Sequence, residues 1–461
     1  MKMFGIIANF DAAEGSRRVF GRVRFIIVCL VCAGCSFFRV SAQETWTLEQ
    51  CIRYAYDNHI LLKQEELNVE NAENVLFQSK MNRFPTLNSS SNYSAAKGRV
   101  WDTNTASFVE GSTVRSLSGS VSSSVTLFNG LQQKNTIDRN RFSLMASIQN
   151  VEKLKNDLSI NITLLYLQII HAKEQMAVAE NQLVLTRLQV DRTKSLTDAG
   201  AVPEGDLLEI QSQESLDELQ TVTARNALSL ALLDLAQLLD LRAAKDFQIV
   251  IPDFSNIEIS EPTSSADDVF LVAEGILPEV KAAEYNLAGA GKSLAVARGG
   301  RSPRISLSAG FNTAYSNSWD LQLWEQLSQS YSMSFGVGVT IPIFNGWQVS
   351  TGIKNAKLNL QTYRYQLQLT KNNLYKEIQQ AHTDADAALK KYVSSLKAAT
   401  SMEEAFRYTE KRYEAGAVNF ADYSTSKTQL TTAQSNLLQA KFEYIFKTKV
   451  LDFYNGTPIA L

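Results

Sequence analysis

The sequence is poor in the side chains that redox and metal chemistry need. Four cysteines and three histidines occur among its 461 residues. Three of the cysteines, Cys29, Cys32 and Cys35, form a C-x-x-C-x-x-C run that looks like a cluster motif. The run lies in a segment with the features of a cleaved leader, so it predicts no metal site in the mature chain. The histidines occupy unrelated positions, and we expect no metal, no cofactor and no enzyme activity.

Charge of one sign, proline and glycine are also scarce. The chain has 45 basic and 47 acidic side chains, which give a net charge of −2. Nucleic-acid-binding proteins usually carry a basic surface, so this balance argues against that class. With 8 prolines, 22 glycines and long tracts of Gln, Asn, Ala, Leu, Lys and Glu, the chain is predicted to be mostly helical. It has no phosphate-binding glycine loop, so a partner would have to supply the energy for any transport.

Long apolar runs are missing as well. A membrane-spanning helix needs about 20 apolar residues, and no stretch of the sequence reaches that length. The run Phe25–Ala33 follows four arginines and precedes small residues that end at Ala42. This arrangement predicts a secretory signal peptide over residues 1–42. A second interpretation stays open, because the CAGC string at Cys32–Cys35 partly resembles a lipoprotein processing site in which Cys35 would carry the lipid.

What the sequence does have is an internal repeat. The string FNG at Phe128–Gly130 recurs at Phe344–Gly346, and the string AGAV at Ala199–Val202 recurs at Ala415–Val418, each 216 positions later. Both halves follow one order: helix, proline, alternating strand, polar loop, alternating strand, FNG, long helix, AGAV turn, helix. The mature chain is therefore predicted to consist of two structural repeats, residues 43–261 and 262–461.

Each repeat contains two segments in which apolar and small polar residues alternate. The predicted strands are about 86–96, 116–128, 304–316 and 331–344. About 10 residues suffice for a tilted strand to cross a membrane. A soluble sandwich with one wet face fits any single strand equally well. However, the polar faces are almost uncharged and aromatic residues flank the segments at both ends, which favours a membrane sheet.

Four such strands cannot close a barrel, and lipid does not tolerate an open sheet edge. Two copies of the chain would give eight strands, whose interior side chains fill. Three copies would give twelve strands and leave room for a pore. The sequence therefore predicts that the chain assembles with copies of itself.

A long polar helix follows each FNG string, and no proline interrupts either one. Each helix can therefore extend about 100 Å. Apolar residues recur at alternating spacings of four and three, as in a coiled coil. They are Leu158, Ile162, Leu165, Ile169, Ala172, Met176, Ala179 and Leu183 in the first helix, and Leu374, Ile378, Ala381, Ala385, Ala388, Tyr392, Ser395, Ala399 and Met402 in the second. Gly200 and Gly416 suit the left-handed position that ends a helix, so helical hairpins are predicted at about 130–241 and 346–456.

The FNG strings mark the points where a predicted strand turns directly into a helix. The phenylalanines fit an inner aromatic girdle, and each Asn-Gly pair supplies a permissive backbone for the turn. The junction residues are Phe128, Asn129 and Gly130 in the first repeat and Phe344, Asn345 and Gly346 in the second.

These features together resemble the TolC family of outer-membrane efflux factors. The resemblance covers Trp46 to Pro458 and rests on the opening WTLEQCIRYAYDNH, the proline-led strands, the FNG junctions, the AGAV turns and the tandem halves. It implies a mostly α chain with a membrane β-barrel: a homotrimer that shares a twelve-stranded barrel in the outer membrane of a Gram-negative bacterium. The helices would continue the barrel through the periplasm, with an equatorial segment at about 242–261 and a C-terminal tail.

The resemblance also implies where such a duct closes. In the family, an aspartate six residues beyond the tip glycine of the second hairpin belongs to the periplasmic gate, and Asp422 matches it. Tyr413 matches a gate tyrosine three residues before that glycine. A further gate aspartate is replaced here by Thr425. The corresponding residues of the first hairpin are Asp206 and Glu209.

The hairpin tips are implied to dock a periplasmic membrane-fusion adaptor, and with it an inner-membrane transporter of the RND, ABC or MFS type. The tip residues are Gly200, Ala201, Val202, Gly416, Ala417 and Val418. Val418 replaces an arginine that some members carry. Outer-membrane lipid would surround the strands.

Two other functions fit parts of the pattern. A periplasmic coiled-coil adaptor or scaffold also carries a helical hairpin, but usually one, joined to other domain types. An uptake porin lacks helices of about 100 Å. The doubled hairpin and the four alternating strands therefore favour a passive export duct of a tripartite efflux or type I secretion system.

Overall fold

The computed structural model describes residues 45–102, 106–111, 113–241, 247–252 and 265–459. The predicted signal peptide, the alternative lipidation site Cys35 and most of the predicted equatorial segment lie outside these residues. The helices are α1 (Leu48–Asn58), α2 (Ile60–Met81), α3 (Gln132–Asp198), α4 (Glu204–Leu238), α5 (Ala266–Ile276), α6 (Pro278–Gly299), α7 (Leu323–Gln329), α8 (Gln348–Glu414) and α9 (Phe420–Tyr454). The strands are β1 (Thr45–Trp46), β2 (Thr86–Lys97), β3 (Val100–Asp102), β4 (Ser107–Val109), β5 (Thr113–Phe128), β6 (Gln248–Ile249), β7 (Arg304–Ser316) and β8 (Ser332–Thr340).

Two helical hairpins of equal dimensions dominate the molecule. Helices α3 and α8 each have 67 residues, and the returning helices α4 and α9 each have 35. Both helices of the second hairpin begin and end 216 positions after their counterparts, the same offset that separates the FNG and AGAV strings. Helix α3 packs on α4, α8 packs on α9, and α9 also contacts α3, so the hairpins lie side by side. Every helix within the described ranges is too short or too polar to traverse a bilayer.

The heptad residues of the two long helices are not equally covered. Six of the eight positions in α3 are buried, and Leu165 and Met176 are half-buried. In α8 the positions from Leu374 to Ala388 are buried, but Met402, near the tip, is 38% exposed. The second seam therefore loses its cover toward the tip, where a single chain offers no further helix.

The main hydrophobic core lies around the middle of α3, where α1 and the ends of α4 and β6 pack against it. Tyr166 is fully buried there, and its hydroxyl lies within hydrogen-bond distance of two carbonyl oxygens, those of Trp46 (3.1 Å) and Val250. Trp46 belongs to β1, which pairs in parallel with β6. Tyr166 therefore ties this small sheet to α3.

A four-stranded antiparallel sheet stands at the opposite end from the hairpin tips. Its order is β2-β5-β7-β8. The two strands of the second repeat, β7 and β8, therefore extend the sheet formed by β2 and β5, and β7 is hydrogen-bonded to β5. Alternation places Leu307, Phe311 and Phe335 on one side, which we call the apolar face, and Ser308 and Ser334 on the other, the polar face.

The fourth strand is shorter than the sequence predicts. The alternating pattern extends over 331–344, but β8 ends at Thr340. Pro342 follows, and proline has no N–H to donate to a ladder. Within one chain β8 is also an edge strand, and all nine of its residues are exposed, as are all twelve residues of β2 at the other edge.

Candidate functional site at the hairpin tips

Both hairpins turn through the same hydrogen-bonded motif. Gly200 and Gly416 have φ values of +72° and +71°, a conformation that costs glycine little. The N–H of Gly200 bonds to the carbonyl of Thr197 and the N–H of Ala201 to that of Leu196, both at 2.9 Å. The N–H groups of Gly416 and Ala417 repeat this pattern at the second tip, where the N–H of Gly416 bonds to the carbonyl of Tyr413. Each tip is thus a Schellman motif, which satisfies the last carbonyls of the long helix.

The returning helices begin directly after these turns. Asn419 is the N-cap of α9, and its side-chain oxygen accepts a hydrogen bond from the N–H of Asp422 at 2.8 Å. Pro203 occupies the N-cap position of α4. Asp206 and Asp422 lie in the first turns of their helices, where the helix dipole favours a carboxylate.

The structure places the predicted gate residues near the tips but does not join them within one chain. Asp422, Thr425 and Glu209 are exposed, and Asp206 is half-buried. Among the described residues, no side-chain hydrogen bond or ion pair connects these four to one another. Their roles in a gate therefore depend on an assembly of several chains and remain predictions.

Tyr413 is the predicted gate residue with the clearest environment. The amide of Gln189 on α3 donates to its hydroxyl at 3.4 Å, which links the two hairpins. Its ring stacks on Tyr423 at 4.8 Å, and Phe406 lies 5.4 Å from the same Tyr423 ring. Burial raises the pKa of Tyr423 to about 12, and the neighbouring Glu410 carboxylate adds to that shift.

A polar cluster that the sequence analysis did not identify joins the two hairpins further from the tips. Its centre is Asp217 on α4, which is 8% exposed. Asp217 accepts hydrogen bonds from Thr186 at 2.5 Å, from Gln213 at 2.8 Å and from Gln182 at 3.4 Å. We call Gln182, Thr186, Gln213, Asp217, Ser424 and Lys427 the inter-hairpin cluster.

Two residues of α9 complete the cluster from the second hairpin. The ammonium of Lys427 donates to the hydroxyl of Thr186 at 3.2 Å, so this hydroxyl bridges Lys427 and Asp217. Ser424 donates to the side-chain oxygen of Gln213 at 3.4 Å. Burial lowers the pKa of Lys427, and the Asp217 and Glu410 carboxylates oppose that shift. The buried Asp217 and the half-buried Lys427 are therefore joined through Thr186, by contacts that cross from one hairpin to the other.

The cluster occurs in only one of the two repeats. The residues 216 positions away from Thr186, Asp217 and Lys427 are Met402, Ala433 and Gln211. A repeat search finds what the halves share, so it passes over a feature that one half alone carries. No local pattern marks this cluster either, because its members lie up to 241 positions apart in the sequence.

The strand–helix junctions also differ between the repeats. Gly130 and Gly346 both have positive φ, as do the residues that follow them, Leu131 and Trp347. A Cβ atom added to Gly130 would lie 2.4 Å from the carbonyl oxygen of Gly299, whereas one added to Gly346 would meet nothing within 4 Å. The first junction is thus packed against the end of α6, and the second is open in a single chain.

Comparison with known proteins agrees with this architecture. The sequence profile described as outer membrane efflux protein matches residues 52–240 and 276–448. Outer membrane efflux protein BepC of Brucella suis is 22% identical over 415 residues, which cover 88% of this chain and 84% of BepC. Outer membrane protein TolC of Vibrio cholerae is 20% identical over 301 residues, 65% of this chain and 68% of TolC. The Campylobacter jejuni CmeC outer membrane channel has a TM-score of 0.77 at 18% identity, over 89% of this chain and 85% of CmeC.

The profile match covers most of both repeats, including the whole first hairpin and nearly all of the second, and the solved channel has the same fold. The resemblance inferred from the FNG and AGAV strings is therefore confirmed, and the chain belongs to the outer membrane efflux protein family.

Proposed function

We propose that the chain forms a trimeric export duct, which passes substrates delivered by a pump and an adaptor across the periplasm and the outer membrane. The chain is an outer-membrane export channel by family, and its hairpins extend into the periplasm. The observation that carries the assembly is the pair of sheet edges, β2 and β8, which have no neighbouring strand on one side among the described residues; three copies, unlike two, leave room for a pore. Because lipid leaves no partner for an open edge, β8 of one copy pairs with β2 of the next, and three copies close twelve strands.

The hairpins support the same assembly. A groove of about 530 Å³ between α3 and α4 is bounded on one side by α9, through Thr428, Thr431, Thr432 and Ser435. The equivalent groove of about 370 Å³ between α8 and α9 is open and is lined by Ala398, Met402 and Ala433 among others. Because the two grooves are equivalent in the repeat, and α9 is the counterpart of α4, the helix that covers the open groove is α4 of a second copy.

Helix α4 presents the side chains that such a contact needs. The counterparts of Thr432 and Ser435 are Leu216 and Leu219, which are 56% and 62% exposed in one chain. Covering two leucines stabilises a contact by several kcal/mol (about 2 for each side chain). A further copy therefore removes from water the apolar residues that a single chain leaves exposed.

Cysteine cross-linking tests the trimer. In the repeat, β8 corresponds to β5 and β2 corresponds to β7. If the open edges of two copies pair as β5 and β7 do, Val337 of β8 lies opposite Ser91 of β2 in the next copy, as Ser123 lies opposite Ala309. With Cys51 replaced by alanine, Val337→Cys with Ser91→Cys is expected to give covalent trimers on oxidation. Val337→Cys with Asn88→Cys, which alternation puts on the polar face, is the out-of-register control. Covalent dimers without trimers, or no conductance of the purified protein in a planar bilayer, would overturn the proposal.

Asp422 is proposed to shape the constriction at the periplasmic end. Three exposed carboxylates brought together by the trimer would repel one another and attract divalent cations. We expect Asp422→Ala to raise the resting conductance in planar bilayers and to weaken block by divalent cations. Asp191→Ala, which removes an exposed carboxylate from α3, is the control. Unchanged conductance together with unchanged block would exclude Asp422 from the gate.

The tips are the proposed contact for a periplasmic adaptor, through Gly200, Gly416 and the Ala-Val pairs that follow them. These turns are exposed apart from Val202 and Val418, which are half-buried. An inner-membrane transporter would then supply the energy, because the chain itself has no nucleotide-binding loop. A scaffold without a pore is disfavoured by the four-stranded sheet, which such a role does not require.

A further inference from the structure

The loop between β7 and β8 is organised around one buried amide. Gln326 of α7 is fully buried, and its side-chain oxygen accepts a hydrogen bond from the N–H of Ser316 at 2.9 Å. The nitrogen of the same amide lies 3.0 Å from the carbonyl of Ser316, 2.9 Å from that of Trp319 and 2.7 Å from that of Leu321. A side chain thus satisfies the last peptide groups of β7.

Ser330 does the same one step earlier along the strand. Its hydroxyl lies 3.1 Å from the N–H of Ala314 and 2.5 Å from the carbonyl of that residue. Backbone pairing with β8 ends at Asn312 and Ser332. Ser330 and Gln326 therefore complete, with side chains, the ladder that β8 leaves unfinished, and they fix α7 against the end of β7.

A third contact shows on which side of the sheet α7 lies. Thr313 alternates with Phe311 and Tyr315, so its side chain projects from the apolar face. A Cβ atom added to Gly119, the cross-strand partner of Thr313, would lie 3.8 Å from the methyl group of Thr313, which confirms that both point to this face. The Thr313 hydroxyl donates to the carbonyl of Leu327 at 2.8 Å. Helix α7 is therefore displaced toward the apolar side of the sheet.

The exposed surface of α7 carries one large aromatic side chain, one carboxylate (Glu325) and no positive charge. Trp324 lies two residues from Gln326, which puts it on the opposite side of the helix, and it is 79% exposed. Tyr331 and Phe335, at 57% and 82% exposure, continue the same apolar surface down the sheet. No lysine or arginine occurs between Ile305 and Gly352, so this surface is not built to bind anionic headgroups by charge.

We infer that α7 is an interfacial anchor that embeds Trp324 in the headgroup region of the outer leaflet, beside the sheet rather than over its pore. The inference rests on the proposed membrane location of the four strands. Tryptophan prefers this depth because its ring is apolar while its N–H needs a polar partner. The surface of α7 is continuous with the apolar face, so one lipid leaflet contacts both.

Quenching by brominated lipid tests the anchor. In a Cys51→Ala background, an environment-sensitive fluorophore is attached to Trp324→Cys, to Met333→Cys on the apolar face and to Ser332→Cys on the polar face. The purified trimer is placed in vesicles of phosphatidylcholine brominated either near the headgroup or near the chain end. We expect loss of fluorescence at 324 mainly with bromine near the headgroup, loss at 333 with acyl-chain bromine, and little loss at 332.

The outcomes separate the anchor from the proposed function. Loss at 333 without loss at 324 overturns the anchor and leaves the membrane sheet intact. No loss at 333 overturns the membrane sheet itself. Gln326→Ala, which removes the amide clamp, is expected to reduce quenching at 324 while quenching at 333 is retained; equal quenching at 324 in that variant would show that the clamp does not position the helix.

Discussion

Replacing Gly130 with alanine is expected to stop the chain from assembling into a stable trimer. The new Cβ atom would lie 2.4 Å from the carbonyl oxygen of Gly299 and 2.6 Å from the Cβ of Ser302. Neither neighbour is the far end of a flexible side chain, so the strand–helix junction and the end of α6 must separate. The positive φ of +66° adds a cost of about 1 kcal/mol for any L side chain. We expect a loss of several kcal/mol, which is in the range of the most damaging single substitutions (about 4 or more).

The amount of heat-resistant trimer on gels and the thermal midpoint of the purified protein measure this effect. Gly200→Ala is the matched control, because Gly200 has a φ of +72° but no atom within 4 Å of the added Cβ. It should lose only the conformational cost of about 1 kcal/mol. If both variants assemble equally well, the packing of the junction against α6 does not limit assembly.

Replacing Asp217 with alanine is expected to loosen the contact between the hairpins and to raise the resting conductance of the channel. The change removes the acceptor of two glutamine amides and leaves the Thr186 hydroxyl with only the carbonyl oxygen of Gln182 as its acceptor, at 3.1 Å. It also leaves the half-buried Lys427 ammonium without its bridged counter-charge. A buried polar group left without its partner costs about 1–3 kcal/mol, and the change affects several such groups at once. We therefore expect larger openings in single-channel records and greater sensitivity of cells to large antibiotics.

Two further variants distinguish the cluster from charge effects in general. Glu218→Ala removes the neighbouring carboxylate, which is 61% exposed and lies 3.7 Å from Arg187. An exposed pair contributes only about 0.2–1 kcal/mol, so this variant should conduct like the parent. Asp217→Ala combined with Lys427→Met should recover part of the closed state, because no unpaired charge is left. A double variant as leaky as the sum of its parts would rule out coupling between the two residues.

The parts of the fold that could be predicted from sequence are those that repeat a short period. Alternation identified the strands, and the heptad spacing identified the long helices, because each pattern has to be kept over many residues. The turn glycines Gly200 and Gly416 were predictable for a different reason, since a left-handed residue is required at that point. The short β8 shows the limit, because Pro342 ends the ladder while the alternation runs on.

The features that the sequence did not reveal depend on contacts between distant residues. In the sequence, Gln326 looks like any other polar residue of a loop. Its role is visible only in the fold, where the end of β7 needs an acceptor and a donor beside Ser316. Asp217 and Lys427 belong to different helices of different repeats, and no local pattern marks them as neighbours. The gate residues stay predictions for a related reason: Asp422 is exposed and Asp206 half-buried in one chain, and within the described residues neither contacts the other predicted gate residues.

The single occurrence of the inter-hairpin cluster has a mechanical consequence. In a trimer the six hairpins form a ring with six contacts, three within chains and three between chains. The contacts within chains contain the buried Asp217 and the half-buried Lys427, whereas those between chains would present Met402 and Ala433 at the same level. Apolar surfaces slide past one another more freely than a network that must break several hydrogen bonds. In the proposed trimer the ring would therefore part along three lines, and each chain would move as one unit of two hairpins.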